Sequence, residues 1–232
     1  MPYYRNRLPQ LNGDLFLTDG GLETTLIFEE GINLPGFAAF VLLESESGRK
    51  ILKEYYRRYA DIARENQTGF ILESMTWRAN LDWGKKLGYT PEQLIEYNRQ
   101  GIALLAEIRD AYSDSIPHIV ISGCMGPHGD GYSADLSLTA KEAESYHRTQ
   151  IATFRNTEAD MVAASTMNCI PEAIGITRAV KAEKMPIVIS YTVETDGRLP
   201  SGESLQDGIL QVDAATDHRH VTEVCGQLCN TH

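Results

Sequence analysis

Short apolar runs recur along the chain, and each is followed by a stretch in which apolar positions return every three or four residues. Leu15-Phe16-Leu17-Thr18 closes in Asp19-Gly20-Gly21, the pattern of a buried strand and a turn. From Ser47 to Asn66 the positions Leu52, Tyr55, Tyr56, Tyr59, Ile62 and Ala63 share one face of a predicted helix. Gly69–Glu73 reads as a second strand. Thr90-Pro91-Glu92-Gln93 is a capping box with proline at the first helical position, opening a helix to about Tyr112. His118–Ser122 is a third strand, leading into the glycine-rich segment Gly123–Gly131. Thr139 and Glu142 form a second capping box, for a helix whose Ala143, Tyr146, His147, Gln150, Ile151 and Phe154 lie on one face. Met161–Ala164, a helix over Glu172–Lys184, a strand over Ile187–Tyr191 and a helix over Leu205–Ala215 complete the series.

Strand and helix thus alternate five times, and the strands are continuously apolar, as expected where helices cover a parallel sheet. Polar or glycine residues stand at the end of every strand: Asp19-Gly20-Gly21, Glu73-Ser74, Gly123-Cys124, Ser165-Thr166, and Thr192 with Glu194. That distribution favours an α/β fold of the (β/α)8 TIM-barrel type over a doubly wound sheet, which would gather them at one switch point after a G-x-G-x-x-G turn. About five or six of the eight units are expected. Residues 1–217 form the barrel units, and 218–232 form an atypical tail with no convincing apolar strand. The edges of such an incomplete sheet invite self-association.

Composition narrows the function. With 42% hydrophobic and 23% charged residues the chain is an ordinary globular protein. No apolar run is long enough to cross a membrane and the first residues do not resemble a signal peptide, so a cytoplasmic location is expected. The 21 Lys and Arg against 32 Asp and Glu give a net charge of −11, which disfavours nucleic acid and anionic membranes as partners. Four cysteines are too sparse for a disulfide scaffold.

Several side chains could carry chemistry. Asp19, before two glycines, either faces a ligand amine or closes a turn. Glu23, Glu73 and Glu194 are further carboxylates near strand ends, and Glu73 needs a partner such as Arg78 or a ligand. The Gly123–Gly131 segment lacks the Lys-Ser/Thr of a phosphate loop, and Asp130 would repel a phosphate. Cys124 is either an exposed nucleophile or a small residue filling the barrel mouth, with His118 and His128 the nearest bases in sequence. His147 reads as a packing histidine. In the tail, His218, His220, Cys225, Cys229 and His232 have a spacing that could bind zinc, Cys225 and Cys229 sharing a face if the segment is helical.

Taken together, Leu17–Thr24, Leu72–Asn80, Gly123–Pro127 and Thr192–Leu199 resemble the homocysteine S-methyltransferase family, over roughly residues 14 to 217. The resemblance implies a barrel in which zinc holds homocysteine sulfur as a thiolate that attacks an activated methyl group, giving methionine. It implies that Asp19, Gly20 and Gly21 contact the homocysteine amino group and that Thr76, Arg78 and Asn80 line the mouth. Glu23, Glu73, Gly123, Thr166 and Glu194 are the remaining candidate substrate contacts, and Cys225 and Cys229 the candidate metal ligands. Two departures stand out: Ser165-Thr166 occupies the place where the family commonly has a glutamate, and no Cys-Cys pair is present. The expected partners are therefore a small-molecule thiol and a methyl donor. The alternatives are a binding-only or inactive member of this family, or a metal-independent lyase using Glu73 or Glu194 as base.

Overall fold

The computed structural model describes residues 1–134 and 137–216, together with the backbone of 221–228. Six parallel strands pair in sequence order: β1 (Phe16–Thr18), β2 (Gly69–Glu73), β3 (Ile119–Met125), β4 (Met161–Met167), β5 (Ile187–Val193) and β6 (Val221–Leu228). Each strand neighbours its predecessor, so the chain winds in one direction without the reversal of a doubly wound sheet. The result is a partial TIM barrel. Among the described residues β1 and β6 each pair on one side only.

The connecting helices start where side chains satisfy their free N–H groups. A single turn, α1 (Leu22–Thr24), and short helical turns fill the path to α2 (Glu46–Glu65), which Ser45 caps by accepting from Gly48 N–H. Its predicted apolar face is buried at Leu52, Tyr55 and Tyr56. A short helix, α3 (Leu81–Leu87), precedes α4 (Pro91–Tyr112), and both predicted capping boxes form, Thr90 with Gln93 on α4 and Thr139 with Glu142 on α5 (Ala140–Arg155). The order closes with α6 (Ile170–Ala182) and α7 (Leu205–Ala215).

Alternation along the strands divides the core in two. Phe70, Leu72, Ile121, Val162, Ile189 and Tyr191 belong to the large cluster shared with the helices. Val120 and Met161, with Ile71, Val188 and Phe16 packed against them, face the barrel axis, where Leu8 and Tyr4 of the N-terminal segment plug the floor. Asp160 anchors that plug: its fully buried carboxylate accepts the N–H groups of Tyr3 and Tyr4, both at 2.7 Å, and of Ile121 at 3.0 Å. Arg5 adds hydrogen bonds to the carbonyls of Arg155, Thr157 and Ala159.

Two sequence expectations change. Gly123 and Cys124 belong to β3 rather than to the loop after it. Val221–Leu228, part of the tail read as lacking a strand and considered as a helix for the Cys225–Cys229 pair, is β6, paired with β5 from Ile187↔Val221 to Val193↔Leu228. A strand with one paired edge need not be continuously apolar, so its mixed sequence hid it.

Asp160→Ala should detach the N-terminal plug and leave the buried Ile121 N–H without its acceptor. The expected loss is about 2–4 kcal/mol of unfolding free energy. Urea denaturation checks this, and a change within ±0.5 kcal/mol, the range of ordinary surface substitutions, would refute it.

Candidate active site

A cavity of about 640 Å³ opens at the carboxyl ends of the strands. Its wall takes Thr18 to Thr24 from β1 and α1, Glu73 and Ser74 from β2, and Cys124 from β3. Ala163, Ser165 and Thr166 come from β4, Val188 and Ser190 from β5, and the aromatic side chains Phe37, Tyr56, Trp77 and Tyr132 complete it. Parallel strands place these groups together because every strand presents its last residues at the same end.

Three half-buried carboxylates dominate its electrostatics. Burial, then the charge of Glu73, pushes Asp19 up to about 8, although Tyr55 donates to it at 3.0 Å. Burial raises Glu23 to about 7, against the opposing pull of Arg78. Glu73 is raised by burial too, with hydrogen bonds from Cys124 and Ser122 working the other way. Clustered carboxyl groups away from bulk water retain protons at neutral pH until a cation joins them. Burial and the neighbouring Glu73 also push the Cys124 thiol well above its ordinary value, so it is a neutral thiol.

Asp19, Gly20, Gly21, Glu23, Glu73 and Thr166 therefore converge on one cavity, and five other residues singled out from sequence do not reach its surface. Thr76 is fully buried and donates to Cys124 O at 2.7 Å. Asn80 caps α3 through Trp83 N–H and donates to Pro127 O. Gly123 faces the helices, since a Cβ there would lie 2.7 Å from the Phe154 ring. Glu194 belongs to a turn, its N–H bonded to Arg198 O and its carbonyl accepting from Gly197. Arg78 is not paired with Glu73. Its guanidinium lies 3.9 Å from both the Trp77 and Trp83 rings and donates to Gly129 O at 3.0 Å, one layer behind the cavity wall.

Sequence reasoning passed over the aromatic wall. Trp77 donates from Nε1 to Thr166 Oγ1 at 3.1 Å, and Thr166 holds φ at 62°, a costly conformation for a β-branched residue, where β4 shifts register against β5. Gly126 and Gly131 make the close approach possible, because a Cβ on either would come within 3.0 Å of the Trp77 ring. A tryptophan four residues beyond an apolar strand carries no signal of this contact. Cys124 Sγ lies 3.8 Å from Ser165 Oγ, His118 stands at the opposite end of β3, and His128 is engaged by Glu172, so neither histidine is placed as its base.

The metal reading meets a different limit. Among the described residues no three His, Cys, Asp or Glu side chains converge on a position an ion could take. Cys225 pairs in register with the cavity residue Ser190, while Cys229, His218, His220 and His232 lie outside the described residues. The described donor set thus does not fit a zinc site. Among the described residues no helix is long and apolar enough to cross a membrane.

The raised carboxyl groups make a signed prediction for the ligand-free protein. Asp19 moves from an ordinary 3.8 to about 8 and Glu23 from 4.5 to about 7, so the folded state binds more protons than the unfolded state between those values. Their contribution is fully present below the ordinary values and is lost as pH rises towards 8. Denaturation across that range should show stability falling with pH, with a shallower slope in Asp19→Asn. An identical slope in the variant would refute the assignment.

Comparison with known proteins agrees with this geometry. The family model described as Homocysteine S-methyltransferase matches residues 16–230. Homocysteine S-methyltransferase of Escherichia coli (strain K12) is 24% identical over 207 residues, which make up 84% of this chain and 64% of the relative. The chain therefore spans just under two thirds of that relative's length. The oxidized form of the homocysteine methyltransferase MmuM from Escherichia coli shares the fold with a TM-score of 0.74 at 20% identity, covering 92% of this chain and 73% of the other. Its metallated form gives 0.70 at 16%, covering 94% and 92%. With its family model matched along nearly the whole chain, the protein belongs to the homocysteine S-methyltransferase family.

Proposed function

We propose that the chain takes part in methyl transfer from an activated donor to the thiol of homocysteine, giving methionine. The observation that carries this reading is the convergence of Asp19, Glu23 and Glu73 on one cavity in a chain of this family. An amino acid acceptor brings an ammonium group, and the carboxylates offer it charge-assisted hydrogen bonds. The faces of Trp77, Tyr132 and Phe37 suit a cationic methyl group on sulfur or nitrogen. In this reading Asp19 and Glu23 hold the ammonium end, and the aromatic wall orients the donor and excludes water.

Zinc enters through the resemblance and through the solved relative described as metallated. Cys225 is the residue we nominate as a ligand because of its register with Ser190. The remaining ligands do not converge among the described residues, so no step is assigned to the ion. What the described side chains supply is binding and orientation.

The direct test is methionine formation from homocysteine and S-methylmethionine with added zinc. Product formed in proportion to protein supports the reading. Tight homocysteine binding without product favours the binding-only alternative, and neither binding nor product refutes both.

Two outcomes follow from the carboxyl cluster. Asp19→Asn should weaken homocysteine binding by about 1.5 to 3 kcal/mol, roughly ten- to hundredfold, measured by calorimetry on folded protein. Unchanged affinity would exclude Asp19 as the ammonium contact. Binding at pH 7 should also release about one proton per ligand, because the ammonium pulls the raised carboxyl groups back to their charged forms. Calorimetry in buffers of different ionisation enthalpy reads this directly, and zero or negative release would contradict it.

A further inference from the structure

Behind the cavity the fold buries a charged group that the methyl-transfer reading leaves without a role. Glu172, in the first turn of α6, is 1% exposed. Its Oε1 accepts the backbone N–H of His128 at 2.8 Å, His128 Nδ1 at 3.1 Å and His147 Nε2 at 2.7 Å. Burial alone would raise its pKa, yet the two histidines hold it at about 2. An ionised carboxylate only accepts, so both ring nitrogens donate.

His128 lies in the middle of the 126–131 segment, which packs on the cavity residue Trp77 and leads directly into the cavity residue Tyr132. The neighbouring backbone groups are held by other elements. Gly126 N–H donates to Trp77 O, and Asn80 donates to Pro127 O. Arg78 and Trp83 donate to Gly129 O, Asn168 to Asp130 O, and Thr192 to Gly131 O. Gly126 and Gly131 rest on the Trp77 ring, and Tyr132 follows directly. The helices do not need Glu172 to stay together, since α5 and α6 already touch closely enough that a Cβ on Gly175 would lie 2.5 Å from Ala140 O.

We propose that Glu172 is a positioning residue: through His128, with His147 as brace, it seats the 126–131 segment and so fixes the Trp77 and Tyr132 wall of the cavity. All three donors converge on Oε1, so the neutral amide of a glutamine would keep an acceptor oxygen there but lose the negative charge that strengthens these three bonds. The segment would then rely chiefly on its carbonyls and on the Gly126 N–H bond to Trp77 O.

The chain has two tryptophans, Trp77 and Trp83, and both are bonded to this segment, so intrinsic emission reports on it whether or not methyl transfer occurs. Glu172→Gln should keep cooperative unfolding while its emission shifts to the red and acrylamide quenching rises about twofold, as for a locally opened element. Glu172→Asp, which keeps the charge, should recover part of the shift. Ile176→Val, a core change one turn along α6 that leaves Glu172 and its three bonds in place, should leave emission unchanged. Wild-type emission and quenching in folded Glu172→Gln would overturn the proposal, as would an equal shift in Ile176→Val. If Glu172→Gln does not fold, His128→Asn decides on the same readout: a red shift supports the role and an unchanged spectrum overturns it.

Discussion

Three carboxyl groups share a cavity, and Arg78, the cation whose charge acts against the raised pKa of Glu23, is stacked between two indoles behind the wall. This imbalance of charge governs the rest of the site. Asp19, Glu23 and Glu73 cannot all ionise together away from water, so in the ligand-free protein part of the cluster stays protonated. Stability would be better served by apolar residues there. Carboxylates that destabilise the empty protein and gain from an added cation belong to a binding site rather than a core.

The wall of that site is built from glycine and backbone as much as from side chains. The 126–131 segment binds the loops after β2 and β4 and the end of β5 through its own carbonyls, so the ends of different strands are tied together beside the cavity. Such ties define the mouth even though, among the described residues, β1 and β6 each pair on one side only. The floor is tied in the same manner at the other end, where Asp160 gathers three backbone N–H groups and holds the N-terminal plug.

How much of this was legible depended on whether the signal was local. Buried strands such as Ile187–Val193 and boxed helices such as α4 and α5 announce themselves within a few residues, because burial on two faces and the free N–H groups of a helix start impose local residue types. The polar strand ends gave Asp19, Glu23, Glu73 and Thr166 for the same reason. Arg78 and Glu73, five residues apart, suggested an ion pair, but a planar guanidinium found two tryptophan faces instead. Glu172 stood out only as the first residue of the predicted helix over Glu172–Lys184, and His147 read as a packing histidine. Their link to His128 joins three elements and leaves no mark in any one of them. The strand Val221–Leu228 was missed because its mixed composition satisfies neither the continuous nor the alternating pattern.

Electrostatics also limits what the described residues accomplish by themselves. The Cys124 thiol sits among the cavity's carboxyl groups and is pushed well above its ordinary value, first by burial and then by Glu73. A substrate thiol placed beside it meets the same field and is held neutral, which is the poorer nucleophile. In the proposed reading, the carboxylates that would hold the ammonium end therefore oppose ionisation at the sulfur end. Both demands can be met only if positive charge stands near the sulfur while the carboxylates are occupied by the ammonium. In that reading a cationic methyl donor against Trp77 and Tyr132 would supply one such charge, and it would arrive only with the second substrate. In the proposed function, the field that would draw the amino acid in would also keep its thiol protonated until positive charge stands beside it, coupling the two binding events through charge rather than through contact.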